Sequence, residues 1–109
     1  MGNLAVGFIE VYGFVTAIKA ADAAAKAADV RIVALDSTKP AGGDGVEVPL
    51  VMLIKLEGDV SSVKSAIEAG VEAARRGSGV IAHHIIARPD DETSKLMKIS
   101  NVGKDRIKK

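Results

Sequence analysis

The segment GFIEVYGFVTAIKAADAAAKAADV, residues 7–30, constrains this chain most, because its hydrophobic period changes part-way through. Its first residues are apolar, branched or aromatic, and they read as a strand over residues 4–11. Gly13 breaks that strand, and the spacing then becomes helical. Phe14, Ile18, Ala21, Ala25 and Ala28 recur on one face, with Lys19, Asp22, Lys26 and Asp29 on the opposite one. So many alanines leave a flat helix surface that neighbouring backbone can approach closely. Lys26, near the far end, has two readings. It is a solvated charge paired with Asp22 four residues earlier, or it is the contact of a surface that tiles.

The rest of the chain repeats the alternation. Residues 30–35 read as a second strand, with Val30, Ile32 and Ala34 on one side. Residues 36–48 hold Pro40, Gly42, Gly43 and Gly45, and Pro49 closes them, which reads as an extended loop. Residues 50–56 are nearly all apolar and predict a strand interior to a sheet. Asp59 is the expected N-cap of a second helix, with Val60, Val63, Ile67, Val71 and Ala74 buried, Arg75 and Arg76 in the last turn, and Gly77 ending it. Residues 80–87 predict a fourth strand, stopped by Arg88-Pro89.

The order β-α-β-β-α-β predicts an α+β, ferredoxin-like fold: an antiparallel sheet with two helices on one face. Residues 1–90 form a single domain, and residues 91–109 form a short C-terminal extension with a helix over residues 92–97 and a frayed end. Strands two to four look apolar on both sides, so the uncovered face is expected to pack on something else, most simply another copy.

Composition removes several functions. The 15 basic and 14 acidic residues leave a formal net charge of +1, too little to attract a polyanion or an acidic membrane. Phe8, Tyr12 and Phe14 are the aromatic residues, so a stacking platform for nucleic acid is missing. The chain has no cysteine, hence no disulfide, thiolate nucleophile or cysteine-held metal centre. No apolar run approaches the roughly 20 residues that cross a bilayer, and the start of the sequence lacks a secretory pattern. The default location is cytoplasmic.

Candidate chemistry is sparse. The loop KPAGGDG, residues 39–45, lacks the spacing of a phosphate-binding loop and precedes no helix, although so long a loop in a small domain usually has a use. His83 and His84 are adjacent, so on a strand they face opposite ways and do not share a metal. Ser61, Ser62 and Ser65 share a helix with the i,i+4 pairs Lys64–Glu68 and Glu72–Arg76, the pattern of a solvated face. No catalytic residue, metal site or cofactor is expected, and the chain does not read as an enzyme.

Three segments resemble the bacterial microcompartment shell protein domain: residues 7–30 as quoted, EGDVSSVKSAIEAGVEAARR at 57–76, and HIIARP at 84–89. They occur in the family's order and span most of residues 4–89. The resemblance implies a cyclic homohexamer that tiles edge to edge into an organelle shell. It implies other shell proteins and encapsulated enzymes as partners, and small metabolites passing through a pore on the six-fold axis. It assigns Lys26 and Arg88 to the hexamer edge, with Asp29 beside Lys26 where the family often has asparagine. It also assigns the loop after the second strand, here Thr38, Lys39, Pro40, Gly42, Gly43, Asp44 and Gly45, to the pore. Residues 36–49 are longer than the family's short turn there, so the pore residues are this chain's own. Relatives that hold an iron–sulfur cluster at the pore use cysteines that this chain lacks. A trimeric nitrogen-regulatory-type sensor shares the element order and a long loop after the second strand, but its basic nucleotide-binding constellation is not found. An isolated ferredoxin-like enzyme subunit is the third reading, and no acid–base pair supports it.

Overall fold

The computed structural model describes residues 4–38 and 51–87. Along the chain run β1 (Ala5–Tyr12), α1 (Phe14–Ala27), β2 (Val30–Thr38), β3 (Val51–Gly58), α2 (Val60–Arg75) and β4 (Val80–Ile86). The four strands pair antiparallel in the order β2-β3-β1-β4. Both helices pack on one face, α1 mainly over β2 and β3, and α2 mainly over β1 and β4. This is the expected ferredoxin-like α+β arrangement, with β3 interior as its apolar run predicts.

The period changes coincide with backbone turns. Gly13 adopts a φ of 85°, a region that L side chains disfavour, and its carbonyl accepts the first helical bond from Ala17 N–H at 3.2 Å. The Asp59 carboxylate accepts from Ser62 N–H at 2.8 Å and from the Ser61 hydroxyl at 3.0 Å, which caps α2 as its sequence predicts. At the other end, Gly77 N–H and Gly79 N–H both reach the Ala74 carbonyl, at 2.9 and 3.0 Å. The positive φ falls on Gly79 rather than Gly77. Gly77 is constrained differently: a Cβ there would lie 2.9 Å from Thr16 Oγ1.

The core sits between sheet and helices. Ile9, Val11, Met52, Ile54 and Leu56 meet Val63, Ala66, Ile67, Val71 and Ala74 of α2 and Ala17, Ala20, Ala21 and Ala24 of α1. The face of α1 differs from expectation. Of the stripe Phe14, Ile18, Ala21, Ala25 and Ala28, only Ala21 is buried, and Ala28 packs at the margin. The reason is the close approach of the helices: a Cβ on Gly70 would lie 2.6 Å from Ile9 Cδ1 and 3.2 Å from the Ala20 carbonyl. A seam that tight accepts alanine and excludes phenylalanine or isoleucine, so the small stripe turns inward and the large one outward. On α2, Val60 likewise stays exposed, while Ala66 and Gly70 are buried in the row facing α1.

Two further expectations change in β2. Its register shifts between Ile32 and Ala34, which places Ala34 opposite Lys55 on the face away from the helices and turns Leu35 inward beside Ile54. The strand also continues past residue 35, because Asp36, Ser37 and Thr38 pair with Leu53, Met52 and Val51. Thr38, expected in the loop, is therefore the last residue of a strand. The helix-free face is less apolar than the sequence suggests. It carries the cross-strand pair Arg31–Glu57 and the pair Lys55–Asp36, with Lys55 Nζ 2.5 Å from the carboxylate. The Lys39–Gly45 loop, Arg88, Pro89 and the 91–109 extension lie outside the described residues.

Candidate assembly surfaces

The antiparallel register places Lys26 and Asp29 toward one end of the sheet and Thr38 at the other. At one end Gly58 pairs with both Ala5 and Val30, and Val6 pairs with Ile86. The C-terminus of α1, with Lys26, lies at this end, and Asp29 lies immediately before β2. The end of β4, which leads toward Arg88, is here as well. At the other end Val51 pairs with Tyr12 and with Thr38, where β2 ends. At about 3.3 Å per residue, the length of β3 separates the two ends by roughly 23 Å.

Lys26 projects into solvent and sits 2.9 Å from Asp22 Oδ2, the i,i+4 pair that the spacing predicts. The hydrogen bond to Asp22, with its charge, raises the lysine above its usual pKa, so the ammonium is fully charged at neutral pH. Such an exposed pair is weak and screened by salt, so the ammonium is held ready rather than committed. Asp29 is exposed too, and Lys26 pairs with Asp22 instead of with it.

Elsewhere the described surface offers little chemistry. His83 lies opposite Ile9, on the helix side, and His84 opposite Phe8, on the other, so the two diverge as expected. Among the described residues no three metal-binding side chains cluster. A shallow groove of about 290 Å³ between the helices is lined by Lys19, Ala23, Ala73, Arg76 and Gly77, which supply no nucleophile and no base. Glu72 and Arg76 pair at 3.1 Å, the second of the helix pairs expected from spacing. No described helix is long and apolar enough to cross a membrane. Sequence reasoning missed the Thr16 hydroxyl, buried at the seam, which lies 2.6 Å from Ser78 Oγ and accepts from Ser78 N–H at 3.1 Å. Its only signal was a polar residue inside an otherwise apolar helical row.

The family profile of the BMC domain matches residues 5–89, nearly the whole described fold. The chain belongs to the BMC domain family. Carboxysome shell protein CsoS1C of Hydrogenovibrio crunogenus is 41% identical over 105 residues, covering 95% of this chain and 94% of its own length. Carboxysome shell protein CcmK2 of Synechococcus elongatus is 39% identical over 98 residues, covering 88% and 87%. Bacterial microcompartment shell protein PduK of Citrobacter freundii is 42% identical over 86 residues, where this chain spans 50% of the longer relative. A microcompartment protein of Desulfitobacterium hafniense superposes with a TM-score of 0.68 at 23% identity, covering 90% of this chain and 48% of that one, and so shares the fold. The BMC domain chain is accordingly a structural shell protein of the microcompartment class, not an enzyme.

Proposed function

We propose that this BMC domain protein forms cyclic homohexamers that tile edge to edge into a microcompartment shell. The hexamers assemble with other shell proteins around encapsulated enzymes, and small metabolites pass through a central pore. The observation that carries this reading is the separation just described. Lys26 and Asp29 lie at one end of the sheet, and Thr38, the last residue of β2, lies at the other. A wedge-shaped subunit of a ring needs this polarity, with its tip on the axis and its rim facing the next ring.

At the rim, Lys26, Asp29 and Arg88 form the edge contact. Lys26 leaves its weak intrahelical pair with Asp22 and bonds a neighbouring hexamer, and the same contact repeats on every edge, so modest interactions add up across a sheet. At the tip, Thr38, Lys39, Pro40, Gly42, Gly43, Asp44 and Gly45 surround the opening. Rings of like charge from Lys39 or Asp44 decide which ions enter, as in channel filters.

Native mass spectrometry and electron microscopy test the reading together. The wild-type chain is expected as a hexamer that forms extended sheets or tubes. Lys26→Ala is expected to keep the hexamer and lose the sheets. A monomer or trimer in the mass spectrum would overturn the hexamer, and extended sheets from the variant would remove Lys26 from the edge.

A further inference from the structure

Two buried valines stand outside the core. Val6 and Val51 are 2% and 3% exposed, yet neither joins the cluster between the sheet and the helices. Strand alternation says where they point. Ile9 and Val11 of β1 and Ile54 and Leu56 of β3 face the helices, so Val6 and Val51 face the other way, as do Phe8, Leu53 and Lys55. Lys55 is hidden as deeply, at 4%, and Phe8 and Leu53 are half-buried. Both helices pack on the opposite face, and among the described residues no element crosses this one. Neighbours within a sheet shield the flanks of a side chain but not its tip, and a long lysine on a bare sheet keeps its ammonium in water. A cover over β1 and β3 accounts for the burial.

The burial arises within one copy, so the cover is a segment of the same chain. Residues 1–3 are too few to cross two strands. Residues 39–50 are tethered at both ends, to Thr38 and Val51, at the far end of the sheet from Val6. Residues 88–109 follow β4 at the end where Ile86 pairs with Val6, so they begin beside the buried surface. From Ile86 to Lys55 the path crosses two strand spacings and runs two residues along, roughly 12 Å. Residues 87–91, extended at about 3.3 Å each, bridge that distance. The composition also suits the surface. Asp90, Asp91 and Glu92 carry charge opposite to Lys55, and Leu96, Met97 and Ile99 follow as an apolar group.

We propose that residues 90–99 fold back over the helix-free face of their own subunit and cover β1 and β3. The run Asp90-Asp91-Glu92 lies toward Lys55, and Leu96, Met97 and Ile99 rest on Val6, Phe8 and Leu53. The Lys55–Asp36 pair then owes its burial to the C-terminal extension. The face that the sequence leaves open for another copy is closed within the subunit. This assignment stands apart from the ring reading above and holds for any oligomeric state.

Cross-linking of the full chain tests it, since the absence of native cysteine leaves engineered pairs unambiguous. Phe8→Cys is combined in turn with Leu96→Cys, Met97→Cys and Ile99→Cys, and with Gly42→Cys as the rival. After treatment with a short bismaleimide, denaturing mass spectrometry is expected to show a link within one chain for at least one of the first three pairs. No link, a link only between chains, or a link only to Gly42→Cys would overturn the proposal, the last two assigning the cover to a second copy or to the loop. Acetylation of Lys55 supplies a second readout. In the full chain carrying Leu96→Asp with Ile99→Asp, shown folded by circular dichroism, Lys55 is expected to react about tenfold faster than in the wild type or more, with Lys26 unchanged. An unchanged Lys55 rate in the folded variant would sink the proposal, and should that variant unfold, the cross-links decide alone.

Discussion

Gly70 shows how one missing methyl group sets the distance between two helices. A Cβ there would stand 2.6 Å from Ile9 Cδ1 and 3.2 Å from the Ala20 carbonyl, and the second contact is with backbone, which cannot rotate aside. Gly70→Ala is therefore expected to destabilise the fold by about 1–3 kcal/mol through overpacking, measured by denaturant unfolding. Ala itself is the better helix former by roughly 1 kcal/mol, so a neutral or stabilised variant would show that the seam can widen. Thr16 works at the same scale by bonding rather than space. Its buried hydroxyl joins the first turn of α1 to Ser78 in the turn before β4. A polar residue in a helical row reads as solvent-facing by period alone, so its burial was not legible without the Ser78 partner 62 residues away.

Elements add terms that no single residue carries. The cap of α2 is one. Ser62 N–H, and then the Ser61 hydroxyl, hold the Asp59 carboxyl below the ordinary carboxylate range. A lowered folded pKa means that the cap contributes above the unfolded pKa and is lost as pH falls through the folded one. The melting temperature of the wild type is thus expected to drop more than that of Asp59→Asn below about pH 4. Asparagine caps nearly as well but does not titrate, so identical acid limbs would remove the charge of Asp59 from the cap's role. Between β2 and β3, the Lys55 ammonium is almost wholly buried, with its side chain 5% exposed against 14% for its partner Asp36. Burial of this kind strengthens the attraction and raises the cost of leaving either charge behind. A double-mutant cycle of Lys55→Met and Asp36→Leu is expected to give a coupling of about 1–3 kcal/mol, well above that of a surface pair. A coupling near zero would mean that Lys55 is held by other groups.

At the scale of the whole molecule, the proposed edge contact rests on the charge of Lys26. Asp22 raises the Lys26 pKa, so the charged form is present below the ordinary lysine value and is lost only as pH rises through the higher folded one. Sheet formation through Lys26 is therefore expected to stay constant between about pH 6 and 9 and to weaken above about pH 10.5, followed by light scattering. Loss of sheets already between about pH 6 and 9 would remove the lysine charge from the contact. The three segments matching the BMC domain, 7–30, 57–76 and 84–89, already named the family from sequence, and the profile over residues 5–89 shows it.

By itself, the sequence determined the order of elements, their type, the cap at Asp59 and the Asp22–Lys26 pair, because each depends on neighbours within a few residues. What it could not decide was which of two apolar stripes on α1 faces the core. Both Phe14-Ile18-Ala25 and Ala17-Ala20-Ala24 satisfy a helical period. The choice came from the closeness of α2 at Gly70, a distance between segments some 50 positions apart, and only alanine fits it. The bulge in β2 that exchanged Ala34 for Leu35 is of the same kind, set by pairing with β3 rather than by local pattern. The tertiary structure thus moved the large residues of the opening helix from the interior to the outer flank.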